Sequence, residues 1–295
     1  MTAGGAAVFM ATQGGTRRVF GLDGVSPGPQ QRVSDQFTAH GSDYQAVQLL
    51  AATGSASGGA TLFQALKNPA SSRPELAVMM KTTSNDFIEL GSFDGSGPLT
   101  MASQMSAGGN VAAYIPSPAG GTLVYLVDAL TSGAPTTIAS VGDTLAGGYE
   151  ITRLATAPGS APMVNDLGVV IFDAEIENAD GEKFATLLAW SQGIDEPTII
   201  LKSGDPLEVN GSMFSVAPFA DAQIPFTPNA PWATLTSEAD SLKDGLNDTN
   251  HLAFGVKYLD GVNIRQAVLI TQIPEPATWG VMTVLTCGWL ARRRR

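Results

Sequence analysis

The residue types that most often carry chemistry are scarce in this chain. It has one cysteine, Cys287, and two histidines, His40 and His251. A single cysteine can form neither a disulfide within the chain nor a thiolate metal cluster. A Ser-His-Asp triad would need one of the histidines, but His40 lies in a loop and His251 in a predicted strand, where packing is its expected role. We therefore predict no hydrolytic triad.

One acidic stretch, "FDAEIENADGE", offers carboxylates that could act as a pair in glycoside hydrolysis. Strand alternation would put its first three acids on one face, and its Asp-Gly pair would then make a hairpin turn. The interpretation that we favour is a solvated strand face before a turn. The acids are Asp173, Glu175, Glu177, Asp180 and Glu182.

Acidic turns elsewhere leave calcium as an open alternative. The segment "DGLNDTN" supplies the carboxylate and amide oxygens that calcium prefers, but no EF-hand spacing is present. Without a metal motif, a nucleophile with its base, or a phosphate-binding loop, we predict no cofactor and no enzymatic activity.

Composition favours many short strands over long helices. Charged residues make up only 15% of the 295 residues, and 33 glycines and 18 prolines supply turns. The body before the terminal tail has twelve basic and 26 acidic residues, a net charge of −14. Such a surface repels phosphate backbones, so nucleic acid is excluded as an expected partner.

The chain closes with "IPEPATWGVMTVLTCGWLARRRR", which contains an apolar run at residues 277–291. As a helix, this run would span roughly 22 Å, short of a ~30 Å hydrocarbon core. Trp279 and Trp289 lie near its ends, where aromatic rings favour the membrane interface. The run thus indicates a marginal membrane helix. Four arginines would hold its end at the cytoplasmic face and stop transfer: Arg292, Arg293, Arg294 and Arg295.

This tail closely resembles the PEP-CTERM sorting signal of bacterial surface proteins. The three parts of that signal occur in order over residues 273–295: Pro274-Glu275-Pro276, the apolar run and the arginine cluster. The resemblance implies an exosortase partner, cleavage beside the Pro-Glu-Pro motif, transient anchoring in the inner membrane and export to the cell envelope or outer surface. It also implies a host that makes exopolysaccharide.

The amino end departs from that family. Its segment "MTAGGAAVFMATQGGTRRVF" has no basic region and an apolar stretch of about six residues, shorter than a secretory signal requires. We therefore expect either a start codon placed too far downstream or a fragment.

Residues 1–272 are predicted to form a body of repeated β units. Five aromatic residues each end a short apolar run, and four residues before each stands a Gly or Asn that could adopt a positive φ. The units start near residues 2, 56, 107, 165 and 247. The aromatic residues are Phe9, Phe63, Tyr114, Phe172 and Phe254, and the turn residues are Gly5, Gly59, Asn110, Gly168 and Asn250.

Each unit continues with further apolar runs, such as "TLVYLV" and "TTIAS". A turn at Gly142-Asp143 recurs 62 residues later at Gly204-Asp205, and a fourth run, "YEITRL" or "SMFSV", then closes the unit. Four strands in 50–60 residues match a propeller blade better than a solenoid coil. We predict an all-β, propeller-like repeat of four-stranded units, followed by a short C-terminal apolar helix.

The units resemble the bacterial NxxGxxAF tandem-repeat proteins. Asn165 to Phe172 fits that pattern except at Ile171, and Asn247 to Phe254 fits except at Asn250. The resemblance carries no activity with it. The expected role is a structural or adhesive cell-surface protein. The first alternative is a carbohydrate-binding surface module, with the host's exopolysaccharide as a candidate ligand. The second is a carbohydrate-active enzyme.

Overall fold

The computed structural model describes residues 6–13, 16–22, 29–53, 59–94, 103–115, 121–126, 134–154, 162–217, 232–234 and 246–273. All of the regular secondary structure within these ranges is β-strand, so the predicted all-β class is confirmed. The strands form five antiparallel sheets that follow one another along the chain.

The first two sheets come from residues 7–94. Sheet 1 has the order β1 (Ala7–Gln13), β2 (Thr16–Leu22) and β3 (Gln30–Val33). Sheet 2 has the order β4 (Gln36–Ala39), β5 (Ser42–Ala52), β6 (Thr61–Lys67), β7 (Glu75–Lys81) and β8 (Phe87–Asp94). In both sheets the strands lie in chain order, so each strand pairs with the one that precedes it.

Sheet 3 repeats this plan, and sheets 4 and 5 do so with one exception in each. Sheet 3 contains β9 (Ser103–Met105), β10 (Val111–Ile115), β11 (Thr122–Leu126) and β12 (Thr136–Ser140). Sheet 4 contains β13 (Thr144–Leu145), β14 (Tyr149–Leu154), β15 (Met163–Val164), β16 (Val169–Glu177), β17 (Lys183–Ser191) and β18 (Thr198–Lys202). Sheet 5 contains β19 (Pro206–Val209), β20 (Ser212–Val216), β21 (Trp232–Thr234), β22 (His251–Asp260) and β23 (Asn263–Gln272). The exceptions are that β14 pairs with β16 and β20 pairs with β22. The short β15 and β21 occupy equivalent places beside β16 and β22.

Successive sheets pack face to face. Four hydrophobic clusters join sheet 1 to sheet 2, sheet 2 to sheet 3, sheet 3 to sheet 4 and sheet 4 to sheet 5. In sheet 4, Phe172 and Leu188 pack towards sheet 3, whereas Ile171 and Leu187 pack towards sheet 5. Because alternate side chains of one strand enter two different cores, the strand is a continuous apolar run. Burying each such side chain contributes roughly 1.5–3 kcal/mol.

The turn residues before the aromatic strands have the predicted backbone at three described positions. Gly59, Gly168 and Asn250 have φ of 108°, 77° and 58°. In the third unit the prediction for Asn110 was wrong, because the positive φ of 94° belongs to Gly109. Gly5 lies outside the described residues.

This one-residue difference also changes the role of Tyr114. Four of the five aromatic residues of the repeat are buried, and Phe9 is partly buried. Phe63, Phe172 and Phe254 pack towards the preceding sheet, but Tyr114 packs towards the following one. The residue equivalent to Phe172 is Ala113, which packs towards sheet 2. A shift of one residue reverses the face of a strand, so the predicted equivalence of Tyr114 was wrong.

The fourth apolar run of each unit opens the next sheet instead of closing its own. Strand β14, from "YEITRL", pairs with β16 through Ile151 and Ile176. Strand β20, from "SMFSV", pairs with β22 through Ser215 and Leu259. The remaining predicted runs are strands at their expected places, including β7, β11, β17 and β23. The predicted C-terminal apolar helix lies outside the described residues.

Candidate functional site

The most distinctive polar feature is a row of turns, one at the start of each aromatic strand in sheets 3, 4 and 5. The turn before β16 is built by Asn165, whose Oδ1 accepts hydrogen bonds from the N–H groups of Leu167 (3.1 Å) and Val169 (2.9 Å). The turn before β22 repeats this arrangement with Asn247 Oδ1, which accepts from the N–H groups of Thr249 (3.0 Å) and His251 (2.9 Å). Asparagine suits this position because its side chain can mimic a backbone turn.

The turns of sheets 3 and 4 are joined directly by hydrogen bonds. Asn110 Nδ2 donates to the carbonyl oxygens of Asn165 (3.0 Å) and Asp166 (3.2 Å). In the reverse direction, the N–H of Gly108 donates to Asp166 Oδ1 (2.6 Å). These bonds connect residues 55 to 58 positions apart in sequence.

The same connection recurs between sheets 4 and 5. Asn165 Nδ2 donates to the carbonyl oxygen of Asn247 (2.9 Å) and to Asn250 Oδ1 (2.9 Å). The N–H of Asp166 donates to Asp248 Oδ1 (2.9 Å). Asn165 and Asn250 are both buried, so these hydrogen bonds are shielded from water and favour one alignment of the two sheets. We call these residues the Asn/Asp turn row; its members are Asn110, Asn165, Asp166, Asn247, Asp248 and Asn250.

A second repeated turn links sheet 3 to sheet 4 and sheet 4 to sheet 5. Asp143 Oδ2 accepts from the N–H of Ser140 (2.7 Å), and Asp205 Oδ2 accepts from the N–H of Lys202 (2.9 Å). The preceding glycines, Gly142 and Gly204, have φ of 96° and 87°. The repeated Gly-Asp motif is thus confirmed as a turn.

Sequence reasoning missed a third member of this set. The carbonyl oxygen of Asp35, between β3 and β4, accepts from the N–H of Ala46 (2.8 Å), as the carbonyl oxygen of Asp143 accepts from the N–H of Ile151 (2.8 Å). The sequence did show an aspartate directly before a strand. It was missed because Ser34 precedes Asp35, whereas a glycine precedes the aspartate in the other two turns.

The acidic stretch of β16 forms an ion-pair cluster. Glu175 is buried, and its Oε1 accepts from Lys183 Nζ (2.9 Å) and Thr152 Oγ1 (2.9 Å), while Arg153 Nη2 lies 3.7 Å from Oε2. Burial raises the pKa of Glu175, but the hydrogen bonds and the two cations outweigh it and hold that pKa below its ordinary value. The prediction of a solvated face was therefore wrong for Glu175. A carboxylate held ionised in this way is a poor proton donor for glycoside hydrolysis.

The predicted turn after β16 is present. Gly181 has φ of 80°, and Asn178 Oδ1 accepts from the N–H groups of Asp180 (3.0 Å) and Glu182 (2.9 Å). The side chains that close this hairpin are exposed, and they are set apart from the Asn/Asp turn row at the opposite end of β16.

The two histidines take part in separate local contacts. His40 lies at the tip of the β4–β5 hairpin with φ of 49°, and its Nε2 is 2.7 Å from the carbonyl oxygen of Phe87. His251 is exposed at the start of β22, and its Nδ1 is 2.9 Å from Thr249 Oγ1. The packing role predicted for His251 was wrong, because its side chain is exposed.

A surface depression lies beside His40, with a volume of about 620 Å³. Its lining includes Asn85, Asp86, Phe87 and Glu89. Glu89 also belongs to a partly buried cluster, in which Tyr44 donates its hydroxyl to Oε2 (2.5 Å) and Lys67 Nζ lies 3.1 Å from Oε1.

Ionisation in this cluster follows from burial and pairing. Burial raises the pKa of Glu89, but hydrogen bonds from Tyr44, Lys67 and Ser92 lower it below its ordinary value. The pKa of the Tyr44 hydroxyl is raised, first by burial and then by its bond to the Glu89 carboxylate.

Sequence reasoning also passed over one motif. Residues 24–28, "GVSPG", have the G-x-S-x-G spacing of a nucleophile elbow. They lie outside the described residues, between β2 and β3, which pair through Gly21 and Gln30.

The sorting-motif residues Pro274, Glu275 and Pro276 and the arginines 292–295 lie outside the described residues, which end at Ile273. Ile273 is buried in the core between sheets 4 and 5, and its N–H donates to the carbonyl oxygen of Asn250 (2.7 Å). Among the described residues, none forms a helix of the length and hydrophobicity needed to cross a bilayer. Over the same ranges, His, Cys, Asp and Glu side chains do not gather in groups of three that could hold a metal ion.

Comparison with protein-family models, with curated proteins and with solved structures finds no match to this chain.

Proposed function

We propose that this protein is an exported bacterial surface or matrix protein with a structural or adhesive role, sorted by an exosortase. The observation that carries the proposal is the terminal sequence, in which Pro274-Glu275-Pro276, an apolar run and four arginines follow in order. The fold supports it, because the last described core residue, Ile273, directly precedes Pro274. Cleavage beside the motif would leave every described strand intact.

The finer architecture that we propose is a propeller-like arc in which each sheet is one blade. The support is that all five sheets are antiparallel, follow chain order and pack face to face through four consecutive cores. The Asn/Asp turn row would then lie at one end of the blades, where it aligns them. Blades of this kind serve as rigid scaffolds, as a structural or adhesive role requires.

The tail would act as a temporary anchor. The apolar run at 277–291 would form a short helix in the inner membrane, and the arginines 292–295 would stop its transfer. An exosortase would cut beside the Pro-Glu-Pro motif, where prolines keep the chain extended. The released acidic body would remain at the envelope or outer surface, in contact with the host's exopolysaccharide. It would need no cofactor and perform no catalysis.

Intact-mass analysis of protein purified from its native host tests this processing. The surface fraction should yield a carboxyl terminus near residues 273–277, without Cys287 and the arginines. Glu275→Gln should keep the chain uncut in the membrane fraction, whereas Glu196→Gln, at an exposed position of the body, should be processed normally. Recovery of chains ending at Arg295 from the surface of cells with an active exosortase would overturn the proposal.

The second candidate is a carbohydrate-binding surface module. The favouring observation is the depression beside His40, because its polar lining from Asn85, Asp86 and Glu89 could hydrogen-bond sugar hydroxyls. Binding of the host polysaccharide that is lost in Asn85→Ala, without any turnover, would favour this function. Product release from that polysaccharide would instead favour a carbohydrate-active enzyme.

A further inference from the structure

The outward face of sheet 5 carries exposed aliphatic side chains on both sides of a polar cross-strand pair, Lys257 and Gln266. Ile264, Val268 and Ile270 lie on this face of β23 and are 59%, 50% and 56% exposed. Two of them pair across the strands with small residues, Ile270 with Ala253 and Val268 with Gly255. Together these three exposed aliphatic side chains form a surface patch, and such patches often mark interaction sites.

The repeat shows what covers this face elsewhere in the molecule. When Phe254 is aligned with Phe172, the positions of Val268 and Ile270 correspond to Leu187 and Ala189 of sheet 4. Those two residues are 2% and 0% exposed because sheet 5 packs on them. The outward face of sheet 5 is therefore equivalent to the face of sheet 4 on which sheet 5 packs.

Sheet 1 presents the opposite half of this repeated interface. Its Val8 and Met10 pack towards sheet 2, which leaves the intervening Phe9 on the other face. Phe9 stacks on Phe20 with ring centroids 6.0 Å apart, and Leu22, further along the same face, is 39% exposed. By the sequence repeat, this is the face on which Phe63, Phe172 and Phe254 pack against a preceding sheet.

We propose that these two faces join two copies of this chain head to tail, with sheet 5 of one copy packed on sheet 1 of the next. The interface would continue the packing that already joins sheets 1 to 5 within one chain. A second copy is the occupant that fits, because each copy carries both halves of the repeated interface, and Val268 on sheet 5 and Leu22 on sheet 1 are exposed. The contact is heterologous, so it would build rings or filaments.

Complementary face variants of the full chain test the proposal. The sheet 5 variant is Val268→Lys/Ile270→Glu, and the sheet 1 variant is Ala7→Glu/Leu22→Lys, which puts opposite charges on directly paired positions. Both keep the net charge unchanged and alter exposed positions. The matched control is Val262→Lys, in the β22–β23 turn, where the side chain is 96% exposed.

Analytical ultracentrifugation at about 0.15 M salt, where long-range repulsion between acidic copies is screened, should find multiples of 30.5 kDa for the wild type and the control. Each face variant alone should sediment as one chain. An equimolar mixture of the two variants should form dimers and nothing larger, because only one pair of intact faces remains. Association through the apolar run at 277–291 would not differ between the wild type and the variants, because none of the substitutions alters that run.

Three results would overturn the proposal. Face variants that associate like the wild type would place the contact elsewhere, and a mixture that stays monomeric would exclude a head-to-tail contact. A wild-type chain that remains single over a 100-fold range of concentration would mean that the faces are covered within one chain. Circular dichroism identical to that of the wild type confirms that each variant is folded.

Discussion

Replacing Asn165 by alanine should be one of the most damaging single changes at the surface ends of the sheets. Its side chain makes four hydrogen bonds, two within its own turn and two to the turn before β22. Each hydrogen bond contributes about 0.5–1.5 kcal/mol, and a buried group left without a partner costs about 1–3 kcal/mol. Because Asn165 is 3% exposed, we expect the free energy of unfolding to fall by about 2–4 kcal/mol.

The chain offers a matched control in Asn178. Its Oδ1 accepts the same two turn hydrogen bonds, but its Nδ2 donates only to the exposed Glu182 in the same hairpin. Asn178→Ala should therefore cost about 1 kcal/mol or less. Asn165→Asp keeps the turn acceptor but replaces the donor to sheet 5 by an oxygen that faces the Asn247 carbonyl oxygen and Asn250 Oδ1. Its loss therefore combines the two missing bonds with the cost of burying a charge.

Urea denaturation followed by circular dichroism measures these differences, provided the slope against denaturant stays constant among the variants. The expected order of destabilisation is Asn165→Ala above Asn178→Ala, with Asn165→Asp also well above Asn178→Ala. Equal losses for the two alanine variants would show that the bonds between sheets add no stability, and the role given to the Asn/Asp turn row would be wrong.

Three further predictions concern single positions. Gly168→Val should destabilise by about 1–3 kcal/mol because a β-branched residue is strained at φ of 77°, whereas Gly168→Asn should cost much less, as Asn250 holds the same turn position at φ of 58°; equal melting curves for the two variants would contradict this. Glu175 has a lowered pKa, so its stabilising effect is complete above the unfolded-state pKa and is lost as pH falls through the folded-state pKa. Glu175→Gln should flatten the acid side of the stability profile, and an unchanged profile would exclude the ion-pair cluster as its source. Tyr114→Leu should couple to Phe172→Leu in a double-mutant cycle by about 0.5 kcal/mol or more, since both lie in the core between sheets 3 and 4; additive losses would support the register expected from sequence.

The local features of the fold could be predicted from sequence because their causes are local. Alternation and turn residues predicted the strands from "LAVMM" to "AVLIT". The Gly-Asp motif was recognised as a turn, but it was placed within a unit, whereas it links two sheets. The third unit was misaligned because "SAGGNVAAY" offers Gly109 and Asn110 as adjacent candidates for the left-handed turn position. Using the aromatic residue as the anchor selected the wrong one.

The polar contacts between sheets could not be predicted because their partners are distant in sequence. Asn165 was recognised as a turn residue, but its two donors reach residues 82 and 85 positions away. Glu175 was expected to face solvent because the alternation of one strand cannot show that Thr152 and Arg153 of the neighbouring strand lie beside it. The resemblance of residues 273–295 to a sorting signal rests on contiguous residues alone, and it stays a prediction.

The two kinds of contact have different roles in holding the sheets together. The apolar faces supply most of the stabilisation, but hydrophobic packing is non-directional and tolerates sliding of one face over another. Directional hydrogen bonds at one end of the sheets, such as Asn110 to Asn165 and Asn165 to Asn247, remove that freedom. A misaligned pair of sheets would leave these buried donors unpaired, which costs about 1–3 kcal/mol for each group. The Asn/Asp turn row therefore fixes the alignment of the last three sheets, and the sheet-to-sheet geometry that it defines is the one that a second copy would have to extend.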